Sequence, residues 1–126
     1  MSNTSNVEVS LKEAIGIDGA VAVALVDYTS GMSLGTAGEA GSLNLDVAAA
    51  GNTDVVRAML RTMEAVGLNE SIEDILITLN SQYHLIRLLA GASGEGLFLY
   101  LVLDKNRANL AMARHKLSVI ERSIQI

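Results

Sequence analysis

The sequence predicts a single three-layer α/β/α domain built on an antiparallel sheet. Three observations lead to this fold class. The chain has 126 residues, of which 50% are hydrophobic. It contains five strand-like runs, several joined by short turns, which makes those strands antiparallel. Two of the runs, Ala20–Val26 and Leu97–Leu103, are apolar on both faces. Such strands must be buried on both faces, so helices are expected on both sides of the sheet.

Composition narrows the classes of function. A chain of this length forms one domain, residues 1–126, and the polar residues 1–6 are expected to be flexible. The formal charge of −5 argues against a nucleic-acid binder, and the absence of cysteine excludes a cysteine–zinc site and a thiol nucleophile. No apolar run approaches the roughly 20 residues of a membrane helix, and the polar start does not look like a signal peptide. We therefore expect a cytoplasmic protein without membrane insertion.

The first elements are expected to be a short helix and a hairpin. Apolar residues recur at helical spacing over 7–15, with Ser5 or Asn6 as the cap and Gly16 at the end. The first apolar run then leads into Asp-Tyr-Thr-Ser-Gly, a sequence typical of turns. Met32–Thr36 is predicted to be the short return strand of the hairpin.

A long helix is predicted in the middle of the chain, over Leu43–Val66. A flexible stretch of small residues, Gly35–Gly41, precedes it. Ser42 or Asn44 could cap this helix, and Gly67 suits the left-handed position that often follows a helix.

Three strands and a final helix complete the order. The strands are predicted over Ile72–Leu79, Tyr83–Leu89 and Leu97–Leu103. A one-sided apolar pattern predicts the last helix over Asn106–Ile124. The predicted order is therefore α-β-β-α-β-β-β-α. The two strands that are apolar on both faces, the first and the last, belong at the centre of the sheet.

The middle helix carries more apolar surface than one contact with a sheet can bury. Its apolar and small residues cover about 220° of the helical wheel, whereas a sheet contact needs roughly 100°. A symmetric dimer is one use for the surplus, and Met59 and Met63 suit an adaptable interface. The alternative is a helix buried between the sheet and a neighbouring helix of the same chain.

Four segments of the chain are similar to those of a known family. They span 17–27, 73–89, 98–104 and 108–114, and they include the stretches Asp-Ile-Leu-Ile-Thr and Ala-Asn-Leu-Ala. In this order they resemble the roadblock family, of the dynein-light-chain type, and most closely its bacterial members. The resemblance extends over roughly 7–121 and rests on the order of elements and these two stretches. The complete lack of proline is one departure from the family.

The resemblance implies a five-stranded antiparallel sheet of order 2-1-5-4-3. The middle helix would lie on one face and the terminal helices on the other. Members of the family dimerise by pairing their middle helices and third strands. Helix phase and this family geometry together give the predicted dimer-interface residues: Val55, Val56, Met59, Leu60, Met63, Ile75 and Ile77.

Groups suited to catalysis are few. His84 is interpreted as a surface or edge histidine, and His115 lies away from the apolar side of the last helix. Neither has a partner at metal-ligand spacing. The neighbours Glu73 and Asp74 point to opposite faces of a strand, so they are interpreted as solubilising groups that protect a sheet edge. No Lys-Ser or Lys-Thr follows the glycine-rich stretch, which argues against a phosphate loop. We expect no enzyme activity, no cofactor and no metal.

The function implied by the resemblance is that of a homodimeric protein-interaction module. Bacterial and archaeal members often associate with small Ras-like GTPases, so this chain is expected to bind or regulate one. Two alternatives remain open. One is a structural scaffold subunit of a signalling or motor complex without a GTPase partner. The other is a small-molecule sensor domain.

Overall fold

The computed structural model describes residues 3–39, 41–90 and 95–124. Its helices and strands are α1 (Asn3–Ile15), β1 (Ala20–Asp27), β2 (Met32–Gly38), α2 (Leu45–Ala65), β3 (Asp74–Thr78), β4 (Gln82–Leu88), β5 (Leu97–Asp104) and α3 (Leu110–Ser123). The strands form one sheet in the order β2-β1-β5-β4-β3, and every neighbouring pair is antiparallel. The predicted element order, sheet order and fold class are confirmed.

The centre of the sheet is formed by the two strands that are apolar on both faces. In β1, Ala22–Val26 is buried without interruption, and in β5 the same holds for Leu97–Leu103. These strands pair with each other along most of their length. The alternation of buried and exposed residues that is typical of a sheet with one solvent-exposed face is therefore missing in β1 and β5, as the sequence predicted.

The two faces of the sheet carry different side chains. One face, covered by α1 and α3, is rich in leucine; its strand residues include Val23, Leu25, Leu85, Leu99 and Leu101. The other face, covered by α2, combines small and aromatic residues; its strand residues include Ala22, Ala24, Ile86, Phe98 and Tyr100. The alanines of β1 leave little side chain between the strand and α2, so the helix lies close to β1 and β2.

The ends of α2 follow the expected capping chemistry. Asn44 is the cap: its side-chain oxygen accepts hydrogen bonds from the backbone N–H groups of Asp46 and Val47, at 3.0 and 3.2 Å. At the other end Gly67 has a φ of 75°, and the N–H of Leu68 donates back to the carbonyl of Met63 at 3.0 Å. Of the two predicted caps Asn44 is confirmed, and so is the role of Gly67.

Several predicted boundaries are wrong. The first helix begins at Asn3, within the segment expected to be flexible, so Ser5 and Asn6 lie inside it rather than at its cap. It ends directly before Gly16, as predicted. The strand predicted over Ile72–Leu79 is shortened to β3.

The last helix begins at Leu110 rather than at Asn106 because Asp104 holds the intervening residues in a turn. The Asp104 side chain accepts a hydrogen bond from the N–H of Asn106 at 3.0 Å, and its carbonyl accepts one from the N–H of Ala108 at 2.9 Å. Asn109 then caps the helix by accepting from the N–H of Met112 at 3.0 Å.

The return strand β2 runs to Gly38, through residues predicted to be a flexible loop. The glycines serve close packing of α1 against this strand. A Cβ atom built on Gly35 would lie 2.9 Å from Cδ1 of Leu11, and one built on Gly38 would overlap Ile15. At Gly35 a side chain would force Leu11 to move, whereas Gly38 is also required by its φ of 88° and by the backbone carbonyl of Val21, 2.5 Å from the place of a Cβ. Local sequence does not reveal these contacts.

An ionic cluster ties α3 to the β3–β4 end of the sheet. Arg114 binds both carboxylate oxygens of Asp74, at 2.5 and 3.0 Å. Arg87 lies 3.9 Å from Asp74 and 3.3 Å from Glu121, which is only 4% exposed. The interpretation of Asp74 as a solvated edge group is therefore wrong, because this carboxylate joins a strand to a helix.

Glu121→Gln should destabilise the protein by about 2 kcal/mol, because the largely buried guanidinium of Arg87 then keeps only the carboxylate of Asp74, at 3.9 Å, as a charged partner. Arg107→Gln is the control, since Arg107 pairs with Asp104 at 3.1 Å in an exposed position and should matter little. Urea unfolding of both variants measures the effect. Equal and small losses would show that the buried pair contributes no more than the exposed one.

Candidate protein-binding face

An incompletely covered apolar surface lies on the α2 side of the sheet. Because α2 lies over β1 and β2, the far end of the same face, on β3 and β4, receives less cover. Ile75 and Ile77 of β3 point to this side, where they pack at the margin of the core and remain half-buried. Two large aliphatic side chains on an edge strand are thus left only partly shielded from water.

The outer side of α2 adds to this surface. Val55 and Met63 are half-buried, and Met59 is 40% exposed. The three lie four residues apart along the helix, so they form one stripe. We call these three residues, together with Ile75 and Ile77, the α2–β3 face.

The remaining two predicted interface residues have a different role. Val56 has no exposed surface and belongs to the core beneath α2. Leu60 is partly buried and packs against that same core. Val56 therefore offers nothing for a partner to touch in this conformation. That the five residues of the α2–β3 face meet a second chain stays a prediction.

A charged stripe lies beside the face on α2. Its members are all exposed: Asp54, Arg57, Arg61 and Glu64. Arg57 donates a hydrogen bond to the carbonyl oxygen of Thr29 at 2.7 Å, which links α2 to the β1–β2 turn. The stripe thus marks the solvated side of the helix and limits the apolar surface on that side.

A chain of polar side chains runs beneath α2, next to the face. The hydroxyl of Tyr100, a residue that is 1% exposed, lies 2.9 Å from Nδ1 of His84. The Nε2 atom of His84 lies 2.9 Å from Oε1 of Gln82. Asn52 of α2 also interacts with the Tyr100 side chain and thereby lowers the pKa of Tyr100. The chain therefore connects β4, β5 and α2.

The interpretation of His84 as a surface or edge histidine is wrong. Its strand, β4, lies between β5 and β3, and its side chain is half-buried on the α2 side. The sequence contains a signal for this, because His84 has the same strand parity as Ile86, which is fully buried.

The surroundings of His84 favour its neutral form. Burial lowers the pKa of His84. Burial also raises the pKa of Tyr100, partly offset by the hydrogen bond from Asn52. Since the amide oxygen of Gln82 can only accept, Nε2 carries the proton and Nδ1 accepts from the Tyr100 hydroxyl. One tautomer of a neutral imidazole thus satisfies the whole chain.

The described parts of the chain contain neither a cluster of metal-binding side chains nor a helix that could span a membrane. There, no group of three or more His, Asp or Glu side chains is placed to hold a metal ion. Among the same residues, no helix combines the length and apolar character needed to cross a membrane.

Comparison with known proteins gives matches in structure alone. No protein-family model matches the sequence, and a search of curated proteins finds no match. The structure of MglB from Myxococcus xanthus matches with a TM-score of 0.85 and 16% identity, over 98% of this chain and 87% of that one. The gliding protein MglB from Thermus thermophilus gives 0.80 and 16%, over 98% and 89%. A Roadblock/LC7 domain from Streptomyces avermitilis gives 0.76 and 12%, over 92% of each chain.

The chain therefore has the roadblock fold in the form found in bacterial proteins. The resemblance noted in the sequence is confirmed at the level of fold. At these identities the likeness concerns the fold, and the role of the α2–β3 face has to be argued from the chain itself.

Tyr100→Phe should lower the free energy of unfolding by about 1 kcal/mol, because His84 and Asn52 both lose a buried partner. The pKa of His84 should stay below its ordinary value, since phenylalanine preserves the burial that lowers it. Urea unfolding and NMR titration of the ring check both expectations. Tyr83→Phe is the matched control, because Tyr83 contacts Lys105 through its ring, which phenylalanine retains. An unchanged free energy of unfolding in Tyr100→Phe would show that the hydrogen bond between Tyr100 and His84 does not stabilise the fold.

Proposed function

We propose that this chain is a non-catalytic, homodimeric protein-interaction module that binds or regulates a small Ras-like GTPase. The observation that carries the homodimer is the apolar α2–β3 face, which one chain covers only in part. The GTPase partner rests on the resemblance to bacterial roadblock proteins, supported by the shared fold.

Simple dimensions show why one helix leaves this surface open. Five strands spaced about 4.8 Å apart form a sheet roughly 19 Å wide, whereas a helix with its side chains is about 10 Å across. Two helices cover the opposite face, but only α2 covers this one. A second copy of α2 from a symmetric partner would supply the missing cover.

The edge of β3 supports the same arrangement. Within the sheet β3 pairs only with β4, so its outer edge presents backbone groups that can hydrogen-bond to another strand. Around a two-fold axis β3 would meet its own copy, and each isoleucine pair would be covered from the partner's side. Helix and strand contacts would then form one continuous interface.

The outer surface of α2 also suits a close approach by another helix. Gly51 lies in the middle of the helix, is exposed, and has no atom within 4 Å of the place where a Cβ would stand. A glycine in an exposed helix interior costs about 1 kcal/mol relative to alanine. A helix crossing that needs the space would offset that cost.

The role toward a GTPase would be one of conformational selection. The residues that carry chemistry would lie in the GTPase, and this chain would favour one nucleotide state by binding it more tightly. The proposal therefore needs a docking surface on the dimer and no catalytic group of its own.

Met59→Asp should convert the dimer into a monomer, with dimerisation at least roughly 100-fold weaker, because each protomer would bury an unpaired carboxylate. Arg61→Asp, which places the same side chain on the charged stripe of the same helix, should remain dimeric. Light scattering coupled to size-exclusion chromatography measures both. If Met59→Asp remains a dimer of unchanged affinity, the α2–β3 face is not the interface.

Capture from native lysate tests the partner. The tagged protein should recover a small GTPase that is enriched with either a GTP analogue or GDP, as identified by mass spectrometry. Turnover assays on the recovered GTPase would then give the sign of regulation. Recovery of larger proteins regardless of nucleotide, without any GTPase, would favour a scaffold subunit and overturn the GTPase link.

A further inference from the structure

His84 lies where the buried polar chain meets the α2–β3 face. It stands directly opposite Ile77 in the pairing of β4 with β3, so both side chains lie on the same side of the sheet. Like Ile77 it is half-buried in the single chain. A second protomer that covers Ile77 would therefore also cover the imidazole.

We infer that His84 makes self-association through the α2–β3 face sensitive to protons, so that the homodimer is tight at neutral pH and weakens in mild acid. This inference rests on the proposed homodimer. It assigns a pH dependence of the homodimer to His84, with a stated direction and number of protons.

Among the residues that the structure describes, the groups around His84 provide no counter-charge. On its own strand the neighbour is Gln82; on β5 they are Tyr100 and Val102; on β3 it is Ile77. Asn52 of α2 is reached through Tyr100. Tyr100 is the one titratable group in this set, and it is neutral in mild acid.

The charged residues on the outer stripe of α2 do not act as counter-charges for His84. The acidic and basic residues of the outer stripe of α2 are exposed, and burial is the cause of the lowered pKa of His84. An imidazolium at this position would therefore be desolvated without an ion-pair partner, a situation that costs free energy.

Protonation would also conflict with the hydrogen-bond chain. A proton on Nδ1 turns the acceptor of the Tyr100 hydroxyl into a donor, so the hydroxyl would have to accept instead. Its own hydrogen would then need another acceptor. Protonation thus disturbs the hydrogen-bond chain at Tyr100, a buried side chain of the core that lies beneath α2.

The sign and the steepness follow from linkage. A histidine whose pKa is lowered further by assembly stabilises the dimer fully above the pKa that it has in the folded monomer, and the stabilisation is lost as pH falls below that value. Burial in the single chain already holds this monomer pKa below the ordinary value of about 6.5. A two-fold dimer contains two copies of His84. The logarithm of the dissociation constant should therefore rise by up to about two units per unit fall in pH, twice the limit for one site.

Sedimentation at pH 7.5, 6.0 and 5.0 tests the inference with three proteins: the unaltered chain, His84→Gln, and His115→Gln as a control at an exposed histidine. The dissociation constant of the unaltered chain and of His115→Gln should rise at least about 10-fold between pH 7.5 and 5.0. That of His84→Gln, whose side chain stays uncharged, should change less than about twofold. An equal pH dependence in His84→Gln, or none in the unaltered chain, would overturn the inference.

The outcomes separate this inference from the proposed dimer. A chain that is monomeric at pH 7.5 at every concentration overturns both, whereas a dimer with a constant affinity overturns only the role of His84. Should His84→Gln not fold, NMR titration of the His84 ring in the unaltered chain replaces it. The ring should have a lower pKa at concentrations where the dimer dominates than where the monomer does, and equal values would refute the inference.

Discussion

The pairing of β1 with β5 is the contact on which the rest of the molecule depends. Ala24 stands opposite Tyr100 and Leu25 opposite Leu99, so the two strands present a small residue beside a large one on the α2 side and two leucines on the other. Small residues on β1 let α2 approach the sheet, and the space beside them accommodates the tyrosine ring. The hydroxyl of Tyr100 is then carried to within reach of α2 and His84.

Two helices cover one face of the sheet and one helix covers the other, which explains where polar groups occur at the margins of the core. On the leucine-rich face two helices complete the burial, and the ionic cluster of Asp74, Arg87, Arg114 and Glu121 closes its margin. On the other face a single helix leaves β3 and β4 partly open, and there the margin is formed by the isoleucines of β3 and by His84. The ionic cluster thus ends the core on the leucine-rich face. The partly exposed apolar margin of the other face is the kind of surface that a second molecule can cover.

Much of the fold could be predicted from local sequence, and the failures share a physical cause. The central strands were predictable because burial on both faces leaves an uninterrupted apolar run, and Asn44 and Gly67 because capping is local chemistry. Gly35 and Gly38 were misread as a loop, since only the packing of α1 and the backbone of β1 against this strand shows why glycine stands there. The start of α3 was misplaced because Asp104 competes with the helix for the backbone N–H groups that follow it.

The candidate site was also predictable only in part, because local sequence does not show contacts between distant residues. Helix phase correctly placed Met59 on the outer side of α2, yet it also selected Val56, which lies one position further round the helix and faces the core. His84 was misjudged because a polar residue between two large ones suggests a surface, and its partner on β5 is distant in sequence. Strand parity with Ile86 was the one local signal that pointed inward.

The polar chain beneath α2 also affects the shape of the α2–β3 face. Contacts among alanine, valine and methionine side chains fix the position of a helix only loosely, because such side chains repack with little change in free energy. The interaction of Asn52 with the Tyr100 side chain, by contrast, depends on where α2 lies, so it favours one placement of the helix on the sheet. Since the α2–β3 face is divided between that helix and the edge of the sheet, the placement of α2 also determines the shape of the surface that we propose meets a partner.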